Sequence, residues 1–401
     1  MSNANETVMK KEGLGSELAA LIKTNIRDYA MYIALVVIFI FFGVRTDGLF
    51  LSPRNLSDLI NQTGYVAIIA IGMTVILIIK HIDLSVGYVA GFLGAIAAIL
   101  MKGGMSPWLV IPLVLVLGIL IGLYQGFLVA KVGVPAFVVT LAGMFIFRGL
   151  LSFTTAGTGT IIVKDKGFRD ISNGFIPDFP GDSKLHFLTL VIGIAAVILV
   201  VVSQIRTRSN LRKYNFKVNS LPILIAKIVF LSAVIMCIMW ILAGYKGISW
   251  TAVIVAVVLL IYNFILNKTR LGRYIYGIGG NAEAAELSGV NVQKVTLFAF
   301  ASVSMLAALG GILYTSRLSS ATTTAGLGFE LDAIASSYIG GVSVGGGIGR
   351  VTNTIVGAFV IMSLTNGMNL MGIDISYQYI VKGVIFILAV AFDVMTRKKS
   401  R

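Results

Sequence analysis

Twelve long apolar runs follow one another along the 401-residue chain, and this succession limits the fold more than any other feature. They occupy 29–44, 64–79, 84–101, 108–130, 135–151, 187–202, 228–243, 248–266, 295–314, 331–344, 351–370 and 379–394, with true ends extending by several residues. A helix crosses a bilayer with about 20 mostly apolar residues. Lipid offers no water to satisfy a stray N–H or C=O, so each spanning segment must bond its own backbone. The expected fold is therefore all-α: a polytopic transmembrane helical bundle of about 10–12 spans. The run at 331–344 is short and rich in glycine, and it reads as a broken or re-entrant segment.

Charge agrees with this. Only 12% of the residues are charged and 57% are hydrophobic, whereas a soluble domain carries roughly 25% charged residues. The net charge of +15 does not point to nucleic acid. Lys and Arg lie between the apolar runs, as in bacterial membrane proteins with basic cytoplasmic loops. One cysteine, Cys237, excludes a disulfide framework, and His81 and His186 show no metal-ligand spacing. The first run begins too late for a cleaved signal peptide, and no small-residue cleavage site follows it.

Basic residues also give orientation. The tail 1–28 carries Lys10, Lys11, Lys23 and Arg27, and the tail 395–401 carries Arg397, Lys398, Lys399 and Arg401. Both are expected in the cytoplasm, which demands an even number of crossings of one membrane domain, 29–394. A loop at 203–217 holds Arg206, Arg208, Arg212, Lys213 and Lys217 with no acid, and the segment 267–294 opens with Lys268, Arg270 and Arg273. Counting places both inside. The mixed-charge loop 155–185, with Asp165, Asp170, Asp178 and Asp182, falls outside. Twelve and ten crossings satisfy the pattern equally.

No phosphate-cradling G-x-x-x-x-G-K-[ST] loop exists in the chain, and no cytoplasmic segment is long enough for a nucleotide-binding domain. Ser, His and carboxylates do not cluster in any soluble region, so the chain is not expected to be an enzyme. Uphill transport would draw on acids near the bilayer midplane or on an ATPase supplied by another chain. The glycines at 340, 341, 345, 346, 347 and 349 follow no strand, so they mark a close-packed or unwound membrane segment rather than a dinucleotide loop.

Ionisable groups in or beside spans are functional candidates by default. Lys80, His81 and Asp83 sit where two runs meet; the plainer reading is a cytoplasmic turn with Asp83 capping the next helix. Arg148 either snorkels outward or lines a pathway. Glu330 and Asp332 suit a first helical turn, where the helix dipole favours acids. No acids gather at one expected midplane, which weakens ion coupling. Amides and hydroxyls that could line a translocation path are Asn61, Gln62 and Thr63 at the second run, Thr140 in the fifth, and Asn366 and Asn369 at i and i+3 in the eleventh, with Asp83 beside them. Ordinary interhelical hydrogen bonding is the alternative for each.

The segment Tyr276-Gly-Ile-Gly-Gly-Asn-Ala-Glu-Ala-Ala-Glu-Leu-Ser-Gly-Val-Asn-Val-Gln-Lys294 predicts a short surface helix. Asn281 is a good N-cap, Ala284 and Ala285 are good helix formers, Glu283 and Glu286 suit the first turns, and Gly289 suits the end. Such an element could transmit a partner's motion to the following span; an ordinary capped loop helix would look the same.

Several stretches together carry a resemblance. They are Ile82-Asp-Leu-Ser-Val-Gly87, Pro135-Ala-Phe-Val-Val-Thr-Leu-Ala-Gly-Met144, Ile278-Gly-Gly-Asn-Ala-Glu-Ala-Ala-Glu-Leu-Ser-Gly-Val-Asn-Val292, Glu330-Leu-Asp-Ala-Ile-Ala335, Asn366-Gly-Met-Asn-Leu370 and Tyr379-Ile-Val-Lys-Gly383. From about residue 29 onward the chain resembles permease subunits of binding-protein-dependent ABC importers for monosaccharides. Its extra sequence at 160–243 is most similar to the xylose and multiple-monosaccharide members. The resemblance implies a bacterial plasma-membrane protein whose segment 281–289 contacts an ABC ATPase. It implies that ATP and Mg are bound by that partner and no cofactor by this chain. It further implies a second permease copy, this chain being the simpler choice, an extracytoplasmic sugar-binding protein, and a surround of membrane lipid. An ion-coupled secondary transporter, a permease for nucleosides or branched-chain amino acids, and a non-transporting scaffold are the rival expectations.

Overall fold

Capping residues start most of the helices. In the computed structural model, which describes residues 26–157, 159–179, 185–214, 216 and 220–398, α1 spans Ile26–Arg45. Ser52 caps α2 (Pro53–Ile78) through the Asn55 N–H at 3.4 Å, with Pro53 at the position where a missing N–H is harmless. Next come α3 (Val86–Lys102), α4 (Pro107–Phe127) with a π-helical turn (Leu128–Val132), and α5 (Ala136–Thr155). Strand β1 (Thr160–Ile162) precedes α6 (Lys166–Asn173), whose cap is Asp165. The hairpin of α7 (Phe187–Lys213) and α8 (Leu221–Ala243) leads to α9 (Trp250–Lys268). Then follow α10 (Arg270–Gly280), α11 (Ala282–Leu287), α12 (Val292–Leu318), β2 (Ser320–Thr322), α13 (Phe329–Ile339), α14 (Val351–Leu370) and α15 (Ile375–Lys398).

Eleven of the twelve apolar runs fall on helices over nearly their whole length, and the tenth does so only through Ile339. Among the described residues eight helices are long and apolar enough to cross a membrane, and Ala30–Arg45, Val86–Lys102 and Ile375–Ala391 are shorter apolar helices. The tenth run is the exception in kind. Helix α13 has 11 residues, about 16 Å at 1.5 Å per residue, half of a bilayer core. The chain then continues without helix through 340–350, where Gly341, Gly346 and Gly347 take positive φ. A broken segment was the expectation for this run.

Helix α12 is the hub, packed against α2, α3 and α4. The approach is backbone to backbone: a Cβ on Gly311 would collide with the Ala90 carbonyl of α3, and one on Gly122 of α4 with the Phe300 carbonyl. Small residues permit such contact where lipid supplies no hydrophobic drive for association. The core runs through Ile68, Ile71 and Met73 of α2, Val89 and Leu93 of α3, and Phe300, Val303 and Ile312 of α12, all fully buried.

Tertiary hydrogen bonds sort the connections into two ends. At one end β1 pairs antiparallel with β2, Ile176 N–H donates to the Ile248 carbonyl (3.0 Å), and the α6 carbonyl of Phe168 accepts from Ser316 (2.7 Å). At the other end Gly347 N–H donates to the Ile78 carbonyl (2.8 Å) and Lys80 Nζ to the Gly280 carbonyl (3.2 Å). Connections alternate between the ends when 340–350 completes the crossing begun by α13.

Several boundaries differ from the sequence reading. The expected basic loop 203–217 is helix through Lys213, because polar residues extend α7 beyond its apolar run; Lys217 lies outside the described residues. The segment 267–294 is mostly helical rather than loop, since Thr269 caps α10 through the Gly272 N–H at 3.2 Å. The loop 155–185, expected outside, contains β1 and α6, and its Asp182 lies outside the described residues. Helix α15 runs through Lys398, so only 399–401 of the expected tail 395–401 remain, outside the described residues. Of the expected tail 1–28, residues 1–25 also lie outside them, and 26–28 open α1.

Candidate functional site

Three caps in series build the surface segment. Helix α10 ends at Asn281, which turns the chain by capping α11: its Oδ1 accepts from the Ala284 N–H at 3.0 Å. Glu283 sits in the first turn, where a carboxylate meets the positive end of the helix. Gly289 at φ +84° ends the turn, and Val290 N–H returns to the Ala285 carbonyl at 3.0 Å. Asn291 then caps α12 through the Lys294 N–H at 2.9 Å. Ala285 alone of α11 is buried. Asn281, Glu283, Ala284, Glu286 and Gly289 are exposed, and Leu287 is 85% exposed. The expected surface helix is present, and Leu287 adds an apolar tip that the reading of its charges passed over. An apolar residue between two glutamates and a glycine was the available signal.

The second element is the break between α2 and α3. Lys80 stands at φ +64°, and the chain continues without helix to Ser85. Asp83 is fully buried rather than in a solvated turn. Its Oδ1 accepts from the Ser85 N–H (2.8 Å) and Ser85 Oγ (2.7 Å), so it does order the start of α3. Thr140 of α5 donates to the Ile82 carbonyl at 3.2 Å, and Gln125 of α4 donates to Ser85 Oγ at 2.9 Å. Gln125, an amide within an otherwise apolar run, is a member the sequence reading missed.

Glu330 and Asp332 lie in the first turn of α13 as expected. Glu330 is buried against Gly87 of α3, where a Cβ would collide with its carboxylate. Asp332 accepts from Lys382 of α15 at 3.0 and 3.1 Å. Pairing across fifty residues left no mark in local sequence. Arg148 lies exposed, 5.8 Å from the Tyr88 ring.

A third group gathers toward the start of α2 and the end of α14. Asn366 and Asn55 exchange side-chain bonds of 3.2 and 2.9 Å, and Asn366 also donates to Gln62 at 3.4 Å. Helix α2 starts at Pro53, so Asn61, Gln62 and Thr63 are interior to it rather than at its mouth. Thr63 donates to its own helix at Leu59 (2.7 Å), and Asn61 is buried. Asn369 is exposed and bonds Gln378 of α15 at 2.7 Å, so Asn366 and Asn369 serve different partners. The structure therefore unites Gln62 with Asn366, and Asp83 with Thr140, in two separate clusters. Amides and hydroxyls of this kind both donate and accept, which suits a neutral hydroxylated solute. A cavity of about 300 Å³ lies at the α10–α11 end instead, bordered by Asn267, Tyr276, Arg350, Asn353 and the glycine run.

The family described as branched-chain amino acid transport system / permease component matches residues 55–390. The xylose transport system permease protein XylH of Haemophilus influenzae is 38% identical over 94% of this chain and 98% of its own length. XylH of Escherichia coli K12 is 37% identical over 100% and 99%. The ribose import permease protein RbsC of Haemophilus influenzae is 36% identical over 90% and 91%. No solved structure matches the chain. With a match this long and relatives this similar over nearly their whole length, the chain belongs to this family of transport-system permease components.

Proposed function

We propose that this protein is the membrane channel of an ATP-driven importer for xylose or a related pentose or hexose, moving its substrate by alternating access. The observation that carries the reading is a similarity of 37–38% identity, running nearly end to end, to permeases named for xylose, a match that includes the α7–α8 hairpin. A permease of this kind works with an ATPase chain and an extracytoplasmic binding protein. The exposed, capped α11 with Glu283, Glu286 and Leu287 is the surface offered to the ATPase, which binds the ATP and Mg; no cofactor belongs to this chain. The α10–α11 end faces the cytoplasm. Arg206, Arg208, Arg212 and Lys213 end α7 there, and Lys268, Arg270 and Arg273 flank the start of α10; a cytoplasmic excess of Lys and Arg sets topology. Both chain ends then lie inside and the domain is 29–394. The β1–β2 and α6 face receives the binding protein.

Two copies of this chain form the channel, and acyl chains surround the exposed apolar flanks of α7 and α8. Asn61, Gln62, Thr63, Asp83, Thr140, Asn366 and Asn369 remain the polar groups available to a sugar once the bundle opens. The family's description favours one second reading, a branched-chain amino acid as cargo. Uptake into proteoliposomes carrying this chain, its ATPase and its binding protein, without an ion gradient, tests both. ATP-dependent accumulation of xylose supports the proposal, accumulation of leucine supports the second reading, and gradient-driven uptake by the chain alone overturns both.

A further inference from the structure

Three discontinuities of the bundle meet at one point, and one of them interrupts a span. The first is the end of α10, at Gly279 and Gly280. The second is the corner where α2 stops and Lys80 turns through φ +64°. The third is the non-helical run 340–350 that completes the crossing of α13. Their contacts are largely between backbones. Gly279 lies so close to the Ile78 carbonyl and the Gly347 N–H that any Cβ on it would collide with both. Gly347 N–H donates to the Ile78 carbonyl (2.8 Å), Lys80 Nζ to the Gly280 carbonyl (3.2 Å), and the Tyr276 hydroxyl to the Gly349 carbonyl (2.7 Å).

We propose that Gly279 is the positioning residue through which α10–α11 moves the α2–α3 corner and the broken span of α13 together, an inference that rests on the importer reading above. Backbone contacts without intervening side chains carry displacement with little slack, because no rotamer can absorb it. Motion of α10 reaches Ile78 and, through the same hydrogen bond, Gly347. From Ile78 the chain leads to the Asp83–Ser85 start of α3; from Gly347 it leads to α14. Positive φ at Lys80 and at Gly347 (+70°) marks a turning point on each side. The cavity of about 300 Å³ bordered by Asn267, Tyr276, Arg350 and Asn353 gives the glycine run room to shift.

Helix α10 supplies its own control. Gly277, two residues away, has open space where a Cβ would go. The test uses the full complex in proteoliposomes, reading xylose moved per ATP hydrolysed, with the thermal midpoint of each purified variant. Gly279→Ala lowers that ratio by at least roughly tenfold while hydrolysis continues. Gly277→Ala stays within about twofold of the unaltered chain. Tyr276→Phe adds no volume and removes one bond of the linkage, so it reports even where Gly279→Ala does not assemble; its ratio falls about fivefold with the midpoint unchanged. A wild-type ratio in assembled Gly279→Ala or in Tyr276→Phe overturns the linkage alone, as does an equal loss in Gly277→Ala. Absence of ATP-dependent uptake of xylose and of every related pentose or hexose by the unaltered complex overturns the sugar-importer reading and the linkage with it.

Discussion

Helices α2 and α8 are both apolar and long enough to cross a membrane, yet 83% of the most apolar stretch of α2 is buried against 6% for α8. The two regions invert the rule of soluble proteins. The α7–α8 hairpin is the more uniformly apolar, and its Leu199, Val229 and Phe230 are exposed. The hub of α2, α3 and α12 is interrupted by Gly, Ser and Thr: Thr74 bonds Ser337 (3.2 Å) and Thr354 (2.7 Å) across helices. Acyl chains solvate leucine as well as another helix does, so apolarity by itself gives no reason to pack. Shape and polar pairing do. The hairpin also leaves and rejoins the bundle at one place, since His186 N–H donates to the Ala243 carbonyl at 3.0 Å.

Substitutions can break or sharpen this contrast. The largest effect is expected at the hub. Gly311→Leu must separate α12 from α3 at a cost of about 3 kcal/mol or more, and monodisperse protein in detergent should be lost; recovery at wild-type yield would remove the packing argument. Next is the Asp332–Lys382 pair, which is largely sheltered. Lys382→Met leaves one carboxylate uncompensated, costing about 3 kcal/mol, and should lower the thermal midpoint where Lys382→Arg restores it in part. A functional rather than structural loss is expected at the surface. Glu283→Arg reverses charge at a helix start, costing less than about 1 kcal/mol in stability. On the proposed reading it cuts ATP-driven uptake by roughly tenfold; unchanged uptake would sink the docking role. Smaller still is removal of 187–243 with a short linker from His186 to Gly244. Two crossings vanish together, parity is kept, and the midpoint should fall by only a few degrees, about 1 kcal/mol; failure to insert would show the hairpin to be part of the core. Least is Leu199→Ala on the hairpin's exposed flank, within about 0.5 kcal/mol.

The same contrast explains what could be read early. Every apolar run but the tenth became a continuous helix, because a bilayer-length apolar segment exposed to lipid has no other way to satisfy its backbone. The α11 segment was legible to the residue, since Asn281, the run 282–287 and Gly289 act on neighbours within one turn. Boundaries were less legible. Helices α2, α7 and α15 continue into polar sequence, and α10 hides in a stretch that apolarity alone marks as loop. Among candidate pathway residues the sequence offered a roster, and the fold divided it: Gln62 and Asn366 in one cluster, Asp83 and Thr140 in another, Asn369 apart. Gln125 and the Asp332–Lys382 pair went unseen because their partners lie forty to fifty residues away.

What the sequence determined by itself is therefore local and periodic: the membrane as solvent, the number of apolar segments, the break in the tenth, and the capped surface helix. Each follows from interactions within a few residues, or between a segment and its solvent. What only the tertiary structure decided is which apolar helices are inside, which polar groups meet, and that Gly279, Ile78 and Gly347 touch. In lipid those choices rest on close fit and paired hydrogen bonds between distant segments rather than on apolarity, which all the spans share.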